Sequence, residues 1–126
     1  MAESPLTSEF AEELRSVCRT VIGDELRSIA YFDADNVEQL YLRSDLERTA
    51  DLLGFAELER TGFHADEMYR DSQLGEYQAT IRMFEYGYLA RVVADSHGVW
   101  VTTDSMSMER FEELSTALKQ VLESIA

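Results

Sequence analysis

The stretch EYQATIRMFEYGYLARVVADSHGVWVTT, residues 76–103, decides the fold of this chain. Its first part alternates apolar with polar residues, as a half-buried strand does, before a turn at residues 86–87. Residues 88–94 are more apolar, as in a central strand, and residues 95–98 predict a turn into a third strand at 99–103. The stretch therefore predicts a three-stranded antiparallel meander. The apolar side of its first strand comprises Tyr77, Ala79, Ile81 and Met83.

The N-terminal part of the chain predicts a helix. Pro5 and Thr7-Ser8 are typical of a helix start, and Gly23 is a typical stop. Between them, apolar residues recur at the i, i+3, i+4, i+7 spacing that buries one helix face. This apolar row comprises Phe10, Leu14, Val17, Cys18, Val21 and Ile22.

A hairpin follows this helix. Residues 26–32 are a β-rich run, residues 33–36 carry the Asp and Asn side chains that favour a turn, and residues 37–42 form the second strand. In that strand, alternation places Leu40 on the core side and Tyr41 on the opposite side.

Two further helices are predicted. Residues 44–47, Ser-Asp-Leu-Glu, have the spacing of a capping box, in which the Ser and Glu side chains each satisfy a backbone amide at a helix start. The stretch from 61 to 75 fits either a broken helix or a long loop. The last helix starts near Ser105 or Ser107 and runs to the C-terminus. Its buried face comprises Phe111, Leu114, Leu118, Val121, Leu122 and Ile125.

The element order is helix, two strands, helix, three strands, helix. In a chain of 126 residues this order predicts an α+β fold with one antiparallel sheet and helices packed against it. The order resembles the roadblock and profilin-like layout. The resemblance implies that the hairpin and the meander join in one five-stranded antiparallel sheet. It also implies that the terminal helices share one face of the sheet and that the middle helix lies on the other.

Three segments also resemble a small-protein family of unknown function that is common in haloarchaea. They are LRSIAYFD at residues 26–33, YLRSDL at 41–46 and TIRMFE at 80–85. That family brings no catalytic residues to assign to this chain.

The charge of the chain is its most unusual property. Twenty-five Asp and Glu stand against eleven Lys and Arg, a net charge of −14, and Lys119 is the single lysine beside ten arginines. Such a surface repels itself in dilute buffer, whereas molar salt shortens the Debye length to about 3 Å. Guanidinium groups are also more weakly hydrated than ammonium groups, and they keep their carboxylate pairs when water is scarce. The composition therefore predicts a halophilic protein of a salt-rich cytoplasm.

Length and hydropathy bound the organisation of the chain. The 126 residues, 45% of them apolar, predict one domain over residues 1–126. The acidic N-terminus carries no secretory signal, and no apolar run approaches the length of about 18 residues that spans a bilayer, so we expect no membrane partner. The arginines are scattered singly among acids, which argues against nucleic acid as a partner.

No residue pattern identifies a catalytic, metal or cofactor site. The Asp-x-Asp-Asn run at 33–36 lacks the Gly and Glu that a calcium loop needs at positions 38 and 44, and a hairpin turn explains it. His64 and Glu67 supply at most two metal ligands, and His97 has no partner at a diagnostic spacing. We therefore predict no catalytic residue, no cofactor and no metal.

Cys18 is the only cysteine, so the chain forms no disulfide within itself. It lies in the apolar row of the first helix, and no Lys, His or helix N-terminus lies beside it in sequence to activate the thiol. Its position therefore predicts a small core residue rather than a reactive one.

Aromatic residues concentrate on the predicted sheet. They form either ordinary cross-strand pairs in the core or, in part, a surface for another protein, because Tyr gives a large contact area and tolerates a polar rim. The candidate interface residues are Tyr41, Tyr86 and Tyr88. The first two lie near predicted strand ends, where we expect their side chains to face outward.

Three functions fit this sequence. The first is a non-catalytic regulatory or protein-interaction module of the roadblock kind, a homodimer joined through sheet edges or the middle helix, with a small GTPase or another signalling protein as candidate partner. The second is a small-molecule-sensing domain, which an apolar pocket near Trp100 would favour. The third is an enzyme whose site is assembled only in the fold, which converging Asp, Glu, His or Cys side chains would indicate. The lack of a catalytic pattern favours the first.

Stability should depend on salt. Crowding twenty-five carboxylates onto one small fold costs Coulomb energy that screening removes. We expect the midpoint of thermal unfolding to rise steeply between about 0.1 M and 3 M potassium chloride, followed by circular dichroism. A midpoint that does not change over this range would contradict the halophilic interpretation.

Overall fold

A computed structural model of the chain describes residues 7–33, 36–46, 73–75, 77–94 and 97–124. These residues form two α-helices, one short 3-10 helix and five strands. In chain order these are α1 (Ser8–Ile22), a 3-10 helix (Gly23–Glu25), β1 (Leu26–Asp33), β2 (Val37–Leu42), β3 (Ala79–Phe84), β4 (Gly87–Ala94), β5 (His97–Thr103) and α2 (Met108–Glu123).

Both helices begin at side-chain caps that the sequence predicted. The Thr7 hydroxyl accepts a hydrogen bond from the backbone N–H of Phe10 at 3.2 Å, and the Ser107 hydroxyl accepts one from Arg110 at 3.1 Å. Each bond satisfies an N–H group that has no partner within its helix. Gly23 ends α1 with a φ of 71°, a backbone conformation that glycine adopts without steric cost.

The five strands form one sheet in the order β2-β1-β5-β4-β3, and every neighbouring pair is antiparallel. The hairpin and the meander join where β1 pairs with β5. The predicted α+β class and the five-stranded antiparallel sheet are therefore confirmed.

Two strands start at different residues from those predicted. β3 begins at Ala79 rather than near residue 76. β5 begins at His97, which the sequence placed in a turn, and His97 pairs with Asp33 on one side and Ala94 on the other. Because β5 lies between two partner strands, its pairing continues beyond its apolar run, which the sequence pattern does not reveal.

The two terminal helices share one face of the sheet, as the roadblock-like layout implied. Leu14 and Cys18 of α1 and Leu118 of α2 are fully buried against Ile29 of β1 and Val101 of β5. The burial of Cys18 confirms its predicted place in the core. This helix-side core is completed by apolar residues from every strand except β3, whose Ala79 packs at its margin.

The opposite face of the sheet carries a second buried cluster. The rings of Phe32 and Trp100 lie 5.4 Å apart, and the guanidinium of Arg91 lies 5.5 Å from the centre of the Phe32 ring. Arg91 is only 2% exposed. A Cβ atom at Gly98 would come within 2.8 Å of both the Phe32 ring and the Val92 carbonyl oxygen, so the cluster requires glycine at this position.

The predicted middle helix cannot be compared with the structure in full. Residues 44–46, at its expected start, form a turn in which the backbone N–H of Leu46 donates to the Arg43 carbonyl at 3.1 Å. The rest of the prediction, residues 47–72, lies outside the described residues.

Arg43 ties three segments together at the end of the sheet. Its guanidinium donates to the two carboxylate oxygens of Asp104 at 2.5 and 3.2 Å, to Asp45 at 2.6 Å and to the Asp24 carbonyl at 3.1 Å. Arg27 adds a longer contact of 3.4 Å to Asp104. We call Arg27, Arg43, Asp45 and Asp104 the Asp104 junction.

This junction depends on ionised carboxylates. The hydrogen bonds from Arg43 are the main cause that lowers the pKa of Asp104 below its ordinary value, and Arg27 adds to the effect. Hydrogen bonds from Arg43 also lower the pKa of Asp45. Because the folded pKa lies below the unfolded one, the stabilisation is present above about pH 4 and is lost as the pH falls through the folded pKa.

Replacing Arg43→Gln should lower the free energy of unfolding by about 1 kcal/mol at pH 7, because the charged hydrogen bonds are lost and partial exposure limits their worth. The difference from the original protein should shrink below about pH 3, where the carboxylates are protonated. Denaturant titrations at about pH 7 and about pH 3 measure this difference in the free energy of unfolding.

Arg110→Gln is the matched control for this change. Arg110 is exposed on α2 and outside the junction, so its loss should change the free energy of unfolding by less than about 0.5 kcal/mol. Equal losses in the two variants, or an Arg43→Gln loss independent of pH, would contradict the proposed role of the junction.

Candidate interaction surface

The described sheet ends in two edge strands, β2 and β3. Part of the backbone N–H and C=O groups of an edge strand point away from the sheet, and they can template pairing with another chain. The surroundings of the two edges differ among the described residues.

The β2 edge is irregular and covered. Ile29 pairs with Tyr41 and Ala30 with Gln39, so Leu40 is an extra residue in a β-bulge. The side chain of Arg15 donates to the carbonyl of Leu40 at 2.7 Å. A bulge and a basic side chain on the backbone are two of the devices by which proteins block an edge strand.

The same bulge corrects the predicted orientation of Tyr41. Alternation placed Tyr41 on the opposite side of β2 from Leu40, but both residues pack against the helix-side core. The guanidinium of Arg19 also lies 5.9 Å from the centre of the Tyr41 ring. The expectation that Tyr41 faces outward is therefore wrong, because the extra residue resets the alternation of the strand.

The β3 edge ends in an exposed apolar corner. Met83 is 80% exposed, Phe84 49% and Tyr86 83%, although all three are large hydrophobic or aromatic residues. We call Met83, Phe84 and Tyr86 the corner patch. Tyr86 lies in the turn between β3 and β4 and faces solvent, as its position predicted, whereas Tyr88 in β4 is half-buried. Grouped exposed side chains of this kind are typical of protein contacts.

Sequence reasoning missed two members of this patch. Met83 was assigned to the apolar side of its strand together with Ala79. Ala79 does pack against the helix-side core, but Met83 near the turn is exposed. Alternation gives the side of a strand on which a residue lies; it does not say how far along that side another element covers it. The position of Met83 and Phe84 beside a predicted turn was the sequence signal that could have indicated their exposure.

An open groove adjoins the corner patch. It has a volume of about 330 Å³ and is lined by residues 84–88, by Arg27 and by Thr102 and Thr103. The hairpin lies close to β5 here, because a Cβ atom at Gly87 would overlap the carbonyl oxygen of Thr103. Glycine at position 87 thus allows the β3–β4 turn and the end of β5 to form one surface.

The groove carries opposite charges at its margins. Arg27 belongs both to the groove and to the Asp104 junction, where its contact of 3.4 Å is longer than the 2.5 Å contact of Arg43. Glu85 lies in the β3–β4 turn, and its hydrogen bond with Tyr86 raises the pKa of the Tyr86 hydroxyl. The groove is therefore mainly apolar, with one guanidinium and one carboxylate.

His97 has a structural role rather than a ligand-like one. Its Nε2 lies 3.0 Å from the Leu122 carbonyl and its Nδ1 lies 3.0 Å from the Tyr31 hydroxyl. Because a carbonyl only accepts, Nε2 carries a proton and donates it to the Leu122 carbonyl. His97 therefore joins the start of β5 to the end of α2.

The described residues bring no metal-binding set together. Within them, no three His, Cys, Asp or Glu side chains are placed to hold a metal ion. His64 and Glu67 lie outside the described residues. Trp100 is fully buried and does not line the groove, so the groove is not the apolar pocket near Trp100 that would favour a ligand-sensing domain.

The model of the family described as Domain of unknown function (DUF7522) matches residues 12–123, and the chain belongs to that family. A search of curated proteins gave no match. No helix among the described residues is long and apolar enough to cross a membrane.

Solved structures identify the fold. The gliding protein mglB from Thermus thermophilus is 15% identical with a TM-score of 0.67, and the match covers 98% of this chain and 99% of that chain. A structure described as MglB with tetrameric arrangement is 13% identical with a TM-score of 0.67, covering 99% and 100%. The Roadblock/LC7 domain from Streptomyces avermitilis is 13% identical with a TM-score of 0.57, covering 87% and 95%. The chain therefore has the roadblock/LC7 fold, which confirms the resemblance in element order.

The thiol of Cys18 should be inert in the folded protein. Burial raises its pKa to about 12, and only the thiolate is a strong nucleophile. At pH 8, we expect iodoacetamide to modify the folded chain at least about 100-fold more slowly than the chain in denaturant, as followed by mass spectrometry. Since Cys18 is the only cysteine, the mass change is unambiguous. Similar rates in the two states would contradict the buried position.

Proposed function

We propose that this member of the family is a non-catalytic regulatory module that acts by binding proteins through the β3 edge and the corner patch. The contrast between its two sheet edges carries the proposal. Arg15 and a bulge block the β2 edge, whereas the β3 edge ends in three exposed apolar side chains. Exposed apolar side chains beside an edge strand favour association.

A second copy of the chain is the first partner that we propose for this edge. An antiparallel pair of identical strands is self-complementary, so two β3 strands can pair about a twofold axis and continue the sheet across the contact. A solved structure of the same fold is described as having a tetrameric arrangement, which supports self-association as a property of related proteins. Tyr86 and Tyr88 belong to this side of the molecule, whereas Tyr41 lies at the covered β2 edge.

The charge of the chain is compatible with such a dimer in a salt-rich cytoplasm. Two chains of −14 repel each other in dilute buffer, and molar salt removes most of that repulsion. The corner patch is apolar, so its association does not depend on ion pairs that salt would screen. We therefore place the module in a halophilic cytoplasm, where self-association proceeds without electrostatic attraction.

A small GTPase or another signalling protein is the second partner that we propose. Support comes from the roadblock-like layout of the chain. A fold by itself does not determine a function, so this partner has to be tested by a binding measurement. If a small GTPase is encoded beside this gene, we expect its GDP-bound form, its GTP-bound form or both to bind the purified chain. Isothermal titration calorimetry measures this binding. Failure of the GTPase to bind at about 100 μM would remove this partner.

Substitution of Met83→Glu should convert the dimer to a monomer. A carboxylate in the centre of the corner patch would be desolvated without a partner, which costs more than the contact gains. Sedimentation at about 100 μM in high salt should give twice the chain mass of 14.4 kDa for the original protein and the chain mass for the variant.

Met108→Glu is the matched control, because Met108 is 62% exposed at the start of α2, outside the corner patch. It introduces the same charge and should leave the dimer intact. Circular dichroism of both variants should remain unchanged. A monomeric original protein, or an equal effect of the two substitutions, would contradict the proposed interface.

A further inference from the structure

Two apolar features lie at opposite ends of β3. The corner patch follows the end of the strand, and Leu74, whose side chain is 98% exposed, precedes its first residue by five positions. We infer that a second copy of the chain brings these features together, so that Leu74 of each copy lies in the groove beside the partner's corner patch. The inference rests on the proposed self-association through β3 and names the contacts that it makes.

The exposed apolar side chains gather around one strand. Single exposed apolar side chains are common on protein surfaces, whereas grouped ones indicate a contact. Among the described residues, the exposed large apolar side chains are Leu74, the corner patch and Met108 of α2. All of these except Met108 lie at residues 74–86, on both sides of the edge strand β3.

Symmetry limits how two copies of β3 can pair. A twofold axis perpendicular to the sheet makes the two strands antiparallel and places opposing side chains on the same face of the joined sheet. The axis then passes beside a single residue, because side chains on one face alternate along the strand. Two registers, centred on Ile81 and on Arg82, each pair five of the six strand residues with one another, and registers centred elsewhere pair fewer.

Charge and size choose between these two registers. The register centred on Arg82 places two guanidinium groups directly opposite each other, and like charges in that position destabilise a sheet. The register centred on Ile81 places Arg82 opposite the partner's Thr80 instead. It also places Met83, which is 80% exposed, opposite the partner's Ala79, so that a large side chain packs on a small one.

The register centred on Ile81 carries Leu74 to the groove of the partner. Leu74 precedes Ile81 by seven positions and Tyr88 follows it by seven, so antiparallel pairing places Leu74 level with the partner's Tyr88 along the strand direction. Tyr88 lines the groove together with Phe84 and Gly87. The volume of the groove, about 330 Å³, admits an aliphatic side chain. The site is therefore completed by the second copy.

An apolar occupant fits the charges around the groove. Arg27 contacts Asp104 at 3.4 Å, and Glu85 is hydrogen-bonded to Tyr86. A leucine side chain takes part in neither contact, so both stay intact in the dimer. Its burial removes apolar surface from water, an effect that does not depend on attraction between charges and that salt does not screen.

Cysteine substitutions test the register. When oxidised glutathione is added, Ile81→Cys should form a disulfide between two copies, because residues that face each other on the axis lie within the Cα distance of about 4.4–6.8 Å that a disulfide spans. Met83→Cys is the matched control, since its two copies are separated by about 13 Å along the strands and should not cross-link. Met83→Cys mixed with Ala79→Cys should give a mixed disulfide. The native Cys18 is buried and stays in place.

A spin label tests the position of Leu74. A chain with Leu74→Cys carries a nitroxide on that residue and is mixed with an isotope-labelled chain of the original sequence. In the mixed dimer, the nitroxide should broaden the amide resonances of Gly87 and Tyr88 in the labelled copy. The amide of Val37, at the far edge of the sheet, should keep its intensity. Only contacts between copies contribute, because the labelled chain carries no nitroxide.

Loss of the leucine should weaken the dimer. Leu74→Glu would bring a carboxylate into the apolar groove, so sedimentation should show a dimer Kd at least about tenfold higher than that of the original protein. Met108→Glu, the same change at an exposed apolar residue of α2, should leave the Kd within about twofold.

The outcomes separate this inference from the proposed function. A monomeric original protein would contradict the proposed self-association itself. The inference would be overturned, with the self-association intact, by a dimer in which Ile81→Cys does not cross-link, in which Met83→Cys cross-links to itself, or in which the nitroxide leaves Gly87 and Tyr88 unchanged. An equal Kd for Leu74→Glu and the original protein would overturn it in the same way.

Discussion

Burial of β1 and β5 on both faces is the constraint on which the rest of the fold depends. Successive residues of β1, such as Ile29 and Ala30, point to opposite faces and are both buried. The helix side takes one set, and the cluster around Phe32 and Trp100 takes the other. Residues 29–32 of β1 and 99–101 of β5 are accordingly apolar on both faces. The two strands therefore hold the middle of the sheet, and the less apolar strands take the outer positions.

The edges of the sheet follow from that arrangement. β2 and β3 alternate more than the central strands do, and each has only one partner strand among the described elements. At β2 the chain inserts Leu40 as a bulge and places Arg15 on its carbonyl, so the edge is protected from pairing. At β3 the strand stays regular and ends in the corner patch. The asymmetry lies in the surroundings of the edges, and the proposed contact through β3 rests on it.

Arginine side chains connect separate segments of this acidic chain. Arg43 binds two carboxylates and a backbone carbonyl at once, and Arg19 and Arg91 lie over the rings of Tyr41 and Phe32. These contacts use the planar fork and the flat face of a guanidinium, which an ammonium group does not have. These contacts give a structural reason for the scarcity of lysine in this chain. The basic residues act as connectors between segments as well as balancing charge.

Local sequence patterns determined most of the fold. The apolar row of α1 and the hydrogen bond between Asp33 and Asn36 follow local signals, and the cap at Ser107 is one of the two helix starts that the sequence allowed. The roadblock/LC7 fold was also within reach of the sequence, because the order of elements in a short chain leaves few ways to cover one sheet.

Tertiary structure decided the surface. The inward orientation of Tyr41 results from a bulge that exists only when β2 pairs with β1. The exposure of Met83 depends on how far the helices extend over β3, and the groove depends on the close approach of Gly87 to Thr103. The start of β5 at His97 depends on strands on both of its sides. Each of these features involves residues far apart in the chain, so local sequence patterns determine the elements and only their packing determines which side chains remain available for binding.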